Sequence, residues 1–179
     1  MLERGVEVSH EAIRLWGLKF GTEYGRRLRA RRGPCGNTWH LDEVFTRING
    51  KLVYLWRAVD QSGEVFEVLA QSRRDKRAAK KFLRKLLNGL SSPPCTIVTD
   101  KLASYAAARR ELLPSVEHCR GGRLNNRPEI SHQPTRERER KMRGFKSMRR
   151  AQRFLSAHDT IANHFRPARH CLRPTTTER

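Results

Sequence analysis

Between Thr38 and Ser72 the chain reads TWHLDEVFTRINGKLVYLWRAVDQSGEVFEVLAQS, three runs rich in β-branched and aromatic residues, separated by Asn49-Gly50 and by Gln61-Ser62-Gly63. An Asn-Gly pair suits the two positive-φ positions of a tight hairpin turn, whose twist matches that of the strands it joins. The second glycine-containing turn repeats the device. An antiparallel three-stranded meander is therefore expected, and whatever follows must pack against it.

After the meander the apolar period changes. DKRAAKKFLRKLLNGL sets Ala79, Phe82, Leu83, Leu86 and Leu87 on one helical face and Lys76, Lys80, Lys81, Arg84 and Lys85 on the other, stopping at Asn88-Gly89. CTIVTD is a short apolar run closing on Asp100. The helical KLASYAAARREL comes next, and SVEHC supplies one more short strand. The last long segment is helical, with Phe145, Met148, Ala151, Leu155 and Ile161 as its core-facing stripe. Pro134 is expected to end or kink it, because proline lacks a backbone donor and its ring clashes with the preceding turn. The resulting order, β-β-β-α-β-α-β-α, describes an α/β fold, a mixed sheet flanked by helices.

Ahead of the meander, Ser9 caps a short helix bearing Ile13, Trp16 and Phe20 at helical spacing. Arg26, Arg27, Arg29, Arg31 and Arg32 then lead into Gly33-Pro34, a composition that reads as a basic linker with a domain boundary near Gly33. From Arg166 onward the chain reads as a basic, poorly ordered tail.

Charge narrows the partners. With 38 Lys and Arg against 18 Asp and Glu, the net charge of +20 calls for a polyanion, and nucleic acid is the leading one. No apolar run approaches the roughly 20 residues of a membrane-spanning helix, and the first residues lack the apolar core of a signal peptide. A soluble, intracellular chain without a membrane partner is the expectation. The 37% hydrophobic content of 179 residues suffices for one core. The four cysteines stand far apart without paired spacing, so they suggest neither a zinc site nor a dithiol.

Against this positive background three acids fall where one crevice could collect them: Asp42 on the first strand, Asp100 at the end of the fourth, and Glu129 near the start of the last helical segment. Ligands of α/β sheets gather outside the carboxyl ends of strands. Crowded carboxylates repel one another unless a cation or proton compensates. Mg²⁺ or Mn²⁺ fits that need, since each takes a few carboxylate oxygens and keeps room for water and phosphate. Two such ions about 4 Å apart serve phosphodiester displacement, which requires the carboxyl groups to lie within roughly 4–8 Å of one another. Each acid also has an ordinary reading: Asp42 as a surface acid, Asp100 as a helix N-cap, Glu129 as a complement to a helix dipole. Glu43 should leave the strand on the face opposite Asp42 and end exposed near basic side chains. Glu137 and Glu139, alternating with Arg136, Arg138 and Arg140, read as local charge pairs.

The motifs WHLDE, NGKLVYLWRAVDQSGEVFEVLAQSRRDKRAAKKFL, TDKLASY, VEH, NNRPEISHQPTRERE and GFKSMRRAQRFL together resemble the DDE transposases of bacterial insertion sequences, family six, over residues 4 to 165. The resemblance implies a ribonuclease-H-like core similar to that of retroviral integrase. It implies Asp42, Asp100 and Glu129 as the three metal ligands holding two Mg²⁺ or Mn²⁺ ions. It also implies Arg136 as a DNA backbone contact, with His132 on the same helical face as Glu129 and Lys101 as a further phosphate contact. The arginines from Arg26 to Arg32 would hold DNA phosphates as well. The activity implied is DNA strand cleavage and strand transfer at insertion-sequence ends into target DNA, by a homo-oligomer of at least two copies, in the bacterial cytoplasm at the nucleoid. Family members begin with a longer DNA-binding region, so residues 1–33 are expected to be a partial helix-turn-helix and linker. Residues 34–165 would be the catalytic domain and 166–179 a tail, in a truncated copy or one whose start was placed late. A structure-specific nuclease on the same fold and a non-catalytic basic DNA-binding remnant are the alternatives.

Overall fold

The computed structural model describes residues 7–33, 35–90, 92–100, 102–121 and 125–165, with only the helical backbone for 126–130. In chain order the elements are α1 (His10–Ala30), β1 (Thr38–Ile48), β2 (Lys51–Asp60), β3 (Val65–Gln71), α2 (Lys76–Asn88), β4 (Thr96–Thr99), α3 (Ala103–Leu112), β5 (Glu117–Arg120), α4 (Asn126–Lys141) and α5 (Met148–His164). The sheet order is β3-β2-β1-β4-β5. The meander is antiparallel, and β4 then joins β1 in parallel with β5 beyond it. Asn49 and Gly50 both take positive φ, 51° and 75°, as the hairpin requires.

Alternation along the strands builds a core on each face of the sheet. On one face Trp39, Leu41 and Trp56 meet Phe82, Leu83 and Leu86 of α2 and Tyr105 and Ala108 of α3. The Trp56 ring lies 5.9 Å from Phe82 and 5.3 Å from Tyr105. On the other face Val53, Leu55, Val59 and Val68 meet Phe145, Ala151 and Leu155. Each such large side chain, once fully buried, contributes about 1.5–3 kcal/mol. Asp75 starts α2 by accepting from Ala78 N at 2.8 Å.

Three expectations are corrected. The basic run is helix as far as Ala30, not linker from Arg26. Arginine and leucine are good helix formers, Glu23 pairs with Arg26 and Arg27 on the helix itself, and Gly21 and Gly25 let α1 lie against Ala157 of α5. Ile13, Trp16 and Phe20 stay exposed. Pro134 does not end α4, which runs unbroken from Asn126 to Lys141. Arg57 of β2 holds the turn around the proline from outside, donating to Ser131 O and to Thr135 Oγ1. Met148, at the exposed start of α5, is not a core residue, whereas Phe145, Ala151 and Leu155 are. No helix among the described residues is long and apolar enough to cross a membrane.

Candidate active site

The parallel pairing of β1 with β4 ends at Leu41 opposite Thr99. Asp42 and Asp100 are therefore the next residues on two adjacent strands at the point where one stops. Asp42 and Glu43 leave β1 on opposite faces, but with β4 ended both reach past the uncovered edge of β1. One carboxylate oxygen from each of Asp42, Glu43 and Asp100 lies within 4.8 Å of the others. Two of the three expected carboxylates are thus brought together. The helical backbone of α4 carries Glu129, whose side chain lies outside the described residues, as does Lys101.

Glu43 joins the site against the expectation of a solvated acid. Its side chain is 1% exposed, because α2 and α3 cover the face to which it points. Burial, followed by the charge of Asp100, pushes its carboxyl up to about 7 against the opposing hydrogen bond from Arg74. Arg74 Nε donates to Glu43 Oε1 at 2.6 Å, and its Nη2 stands 3.6 Å from Asp100 Oδ2. Tyr105 lies beneath, its hydroxyl pKa raised by burial and then by Glu43. Asp100 is oriented by accepting from Leu102 N through Oδ1 at 2.9 Å. The N-cap position of α3 itself falls to Leu102.

His132 is buried and faces Asp42 in the wall of the crevice; its Nε2 is 3.3 Å from Asp42 Oδ2. Burial lowers its pKa, opposed by Asp42, which favours the neutral imidazole. Asn125, immediately before α4, donates to Leu41 O at 2.8 Å and so ties the helix start to the strand beside Asp42. Arg57, opposite Asp42 in the β1–β2 register, ties α4 and α5 to the sheet from below, with Asp159 Oδ2 at 3.1 Å. Above the acids opens a crevice of about 390 Å³, with Asp42, Asp100, Asn125, His132 and the exposed Arg136 in its wall.

The donor set suits a hard divalent cation. Three carboxylates converge, Glu43 Oε2 and Asn125 Oδ1 are buried without hydrogen-bond partners, and oxygen atoms of this kind are what Mg²⁺ and Mn²⁺ take.

The other expected DNA contacts lie elsewhere. Arg27, Arg29, Arg31 and Arg32 line a cavity of about 600 Å³ between the ends of α1 and α5, sharing no residue with the acid crevice. Arg29 donates to Ser156 O at 3.0 Å, and Arg32 lies 3.6 Å from Asp60 and Glu64. Arg26 pairs with Glu23 outside that cavity. Glu137 pairs with Lys141, whereas Glu139 accepts from Thr46 of β1.

A family model described as a DDE domain matches residues 36–168, the stretch that contains this sheet and its acids. The chain belongs to the DDE-domain family of insertion-sequence transposases. Among its relatives, the transposase for insertion sequence-like element IS431mec of Staphylococcus aureus is 27% identical over 135 residues, 73% of this chain and 60% of that protein. The chain therefore spans less than two thirds of that relative. The catalytic core domain of BIV integrase superposes with a TM-score of 0.54 at 19% identity, over 74% of this chain and 86% of that one. The HTLV-2 integrase catalytic core domain, solved in complex with magnesium, gives 0.50 at 18% identity, over 70% and 86%. The fold is that of the retroviral integrase core, the ribonuclease-H-like fold expected from the sequence.

Proposed function

We propose that the chain carries the catalytic domain of a DNA transposase, which cuts phosphodiester bonds at the ends of an insertion sequence and joins the freed 3′-hydroxyl to target DNA. The meeting of Asp42 and Asp100 where β4 stops, inside the matched DDE domain, is the observation that carries this reading. Asp42, Asp100 and Glu129 would hold the metal, two Mg²⁺ or Mn²⁺ ions. Glu129 is assigned because its helix follows Asn125, which is bonded to Leu41 O, and because His132, one turn on, sits against Asp42. The magnesium in the HTLV-2 integrase core supports the choice of cation. When bound, such ions stabilise charge on the attacking and leaving oxygens of a phosphodiester.

The protein's own residues do the positioning. Leu102 N fixes the Asp100 carboxylate, His132 lies against that of Asp42, and Arg57 fixes the helix on which Glu129 stands. Arg136 at the crevice wall, and the arginines of the separate cavity, hold the DNA backbone, as basic side chains do without reading sequence. Lys101 adds a phosphate contact beside Asp100. Joining two element ends requires at least two copies, acting in the cytoplasm on nucleoid DNA.

Incubation of the chain with Mn²⁺ and a duplex carrying an element end tests the proposal. Cleavage and end joining are expected, both lost in D42N, D100N and E129Q, with DNA binding retained. Cleavage without joining would instead indicate a nuclease on this fold, and binding without either a non-catalytic remnant.

A further inference from the structure

Glu43 is a fourth acid that the three-carboxylate scheme does not use. Its Oε1 takes a hydrogen bond from Arg74 Nε, while its Oε2 is buried without a partner. Arg74 is half-exposed, and its guanidinium already makes a second, looser ion pair with Asp100 Oδ2 at 3.6 Å, longer than a hydrogen bond. Asp100 is already held through Oδ1, so Oδ2 is the atom it has left to offer. An arginine bound there would put a fixed positive charge where a divalent cation must enter.

We infer that Glu43 is a positioning residue that holds Arg74 aside, leaving Asp100 Oδ2 open to a divalent cation. This rests on the reading of Asp42 and Asp100 as metal ligands. The pair also divides the labour of charge: Arg74 neutralises Glu43 and so limits the repulsion that three close carboxylates would otherwise exert. Without Glu43, the guanidinium loses its hydrogen-bonded carboxylate and closes on Asp100, the anion with which it already makes an ion pair. Without Arg74, the guanidinium that stands 3.6 Å from Asp100 Oδ2 is gone.

Calorimetric titration with Mn²⁺ alone, on the full chain and on E43Q, R74Q and the E43Q/R74Q double variant, separates the roles, with melting curves to verify folding. E43Q is expected to bind Mn²⁺ about tenfold more weakly, or about 1.4 kcal/mol, within the range of one charge–charge interaction near a protein surface. R74Q should bind at least as tightly as the parent, and the double variant should recover to the parent affinity, because the displaced arginine is gone. A double variant as weak as E43Q would make Glu43 a metal ligand and overturn the inference, as would an E43Q that binds like the parent. Weaker binding by R74Q overturns it too, and that variant alone decides the matter if E43Q fails to fold. A parent chain that binds no Mn²⁺ removes both this inference and the metal reading beneath it.

Discussion

The acid crevice and the arginine-lined cavity gather opposite charges by different means. The acids are assembled by strand register: β4 stops at Thr99 opposite Leu41, and the next residue on each strand is an aspartate. The arginines are assembled by helix length and helix packing: α1 continues to Ala30, and its glycines bring it against α5. A register is rigid, since slipping it by one residue moves a side chain to the other face. A helix end on the surface tolerates more. The crevice should therefore fail sharply when altered, and the cavity by degrees.

The largest effect should come from the crevice. D42N or D100N should lower cleavage by on the order of 10³ or more, as when a group that stabilises transition-state charge is removed, while gel-shift affinity for DNA stays level or rises. If binding fell in parallel with cleavage, the acids would be structural and the contrast would collapse.

Next in size is the anchor beneath the crevice. Arg57 is fully buried and bonded to Ser131 O, Thr135 Oγ1 and Asp159. Arg57→Met leaves Asp159 buried without this partner, a loss of about 3–5 kcal/mol measurable by urea unfolding. A loss below about 1 kcal/mol, the scale of an exposed ion pair, would mean that α4 is held to the sheet by something other than this network.

The helix packing can be tested at two glycines of α1. A Cβ at Gly25 would stand 3.2 Å from Ala157 Cα, whereas nothing lies within 4 Å of one at Gly17. Gly25→Leu should cost about 1–3 kcal/mol through overpacking, while Gly17→Ala should gain about 0.5–1 kcal/mol through helix propensity. Equal effects at the two positions would show that α1 does not rest on α5 as described.

The arginines should respond least. Replacing both Arg27 and Arg31 by Gln should flatten the dependence of log affinity on log salt by about 0.9 for each phosphate no longer neutralised, with cleavage of bound DNA unaffected. An unchanged slope would remove the cavity from the DNA-binding surface.

The same division explains what can be read from the chain. The hairpin at Asn49-Gly50, the amphipathic α2 and the aspartate closing β4 are local patterns, and each is legible. Glu43 is not, because strand alternation says which way a side chain points but not what covers that face; α2 and α3 bury it. Helical spacing places His132 near Glu129, but not against Asp42, which comes from a strand 90 residues earlier in the chain. The extension of α1 through its arginines is hidden because a run of positive charge suggests a solvated linker, while Glu23 and the close approach at Gly25 stabilise a helix. Pro134 misleads for a similar reason, since the support from Arg57 comes from 77 residues away along the chain.

If the proposed function holds, the acids where β4 ends hold a divalent cation. Anomalous diffraction from crystals grown with Mn²⁺ tests it most directly. Manganese is expected between the carboxylates of Asp42 and Asp100, with Glu129 joining them and Arg74 still on Glu43. Manganese absent from that crevice at saturating concentration, or Arg74 seated on Asp100 in its place, would contradict it.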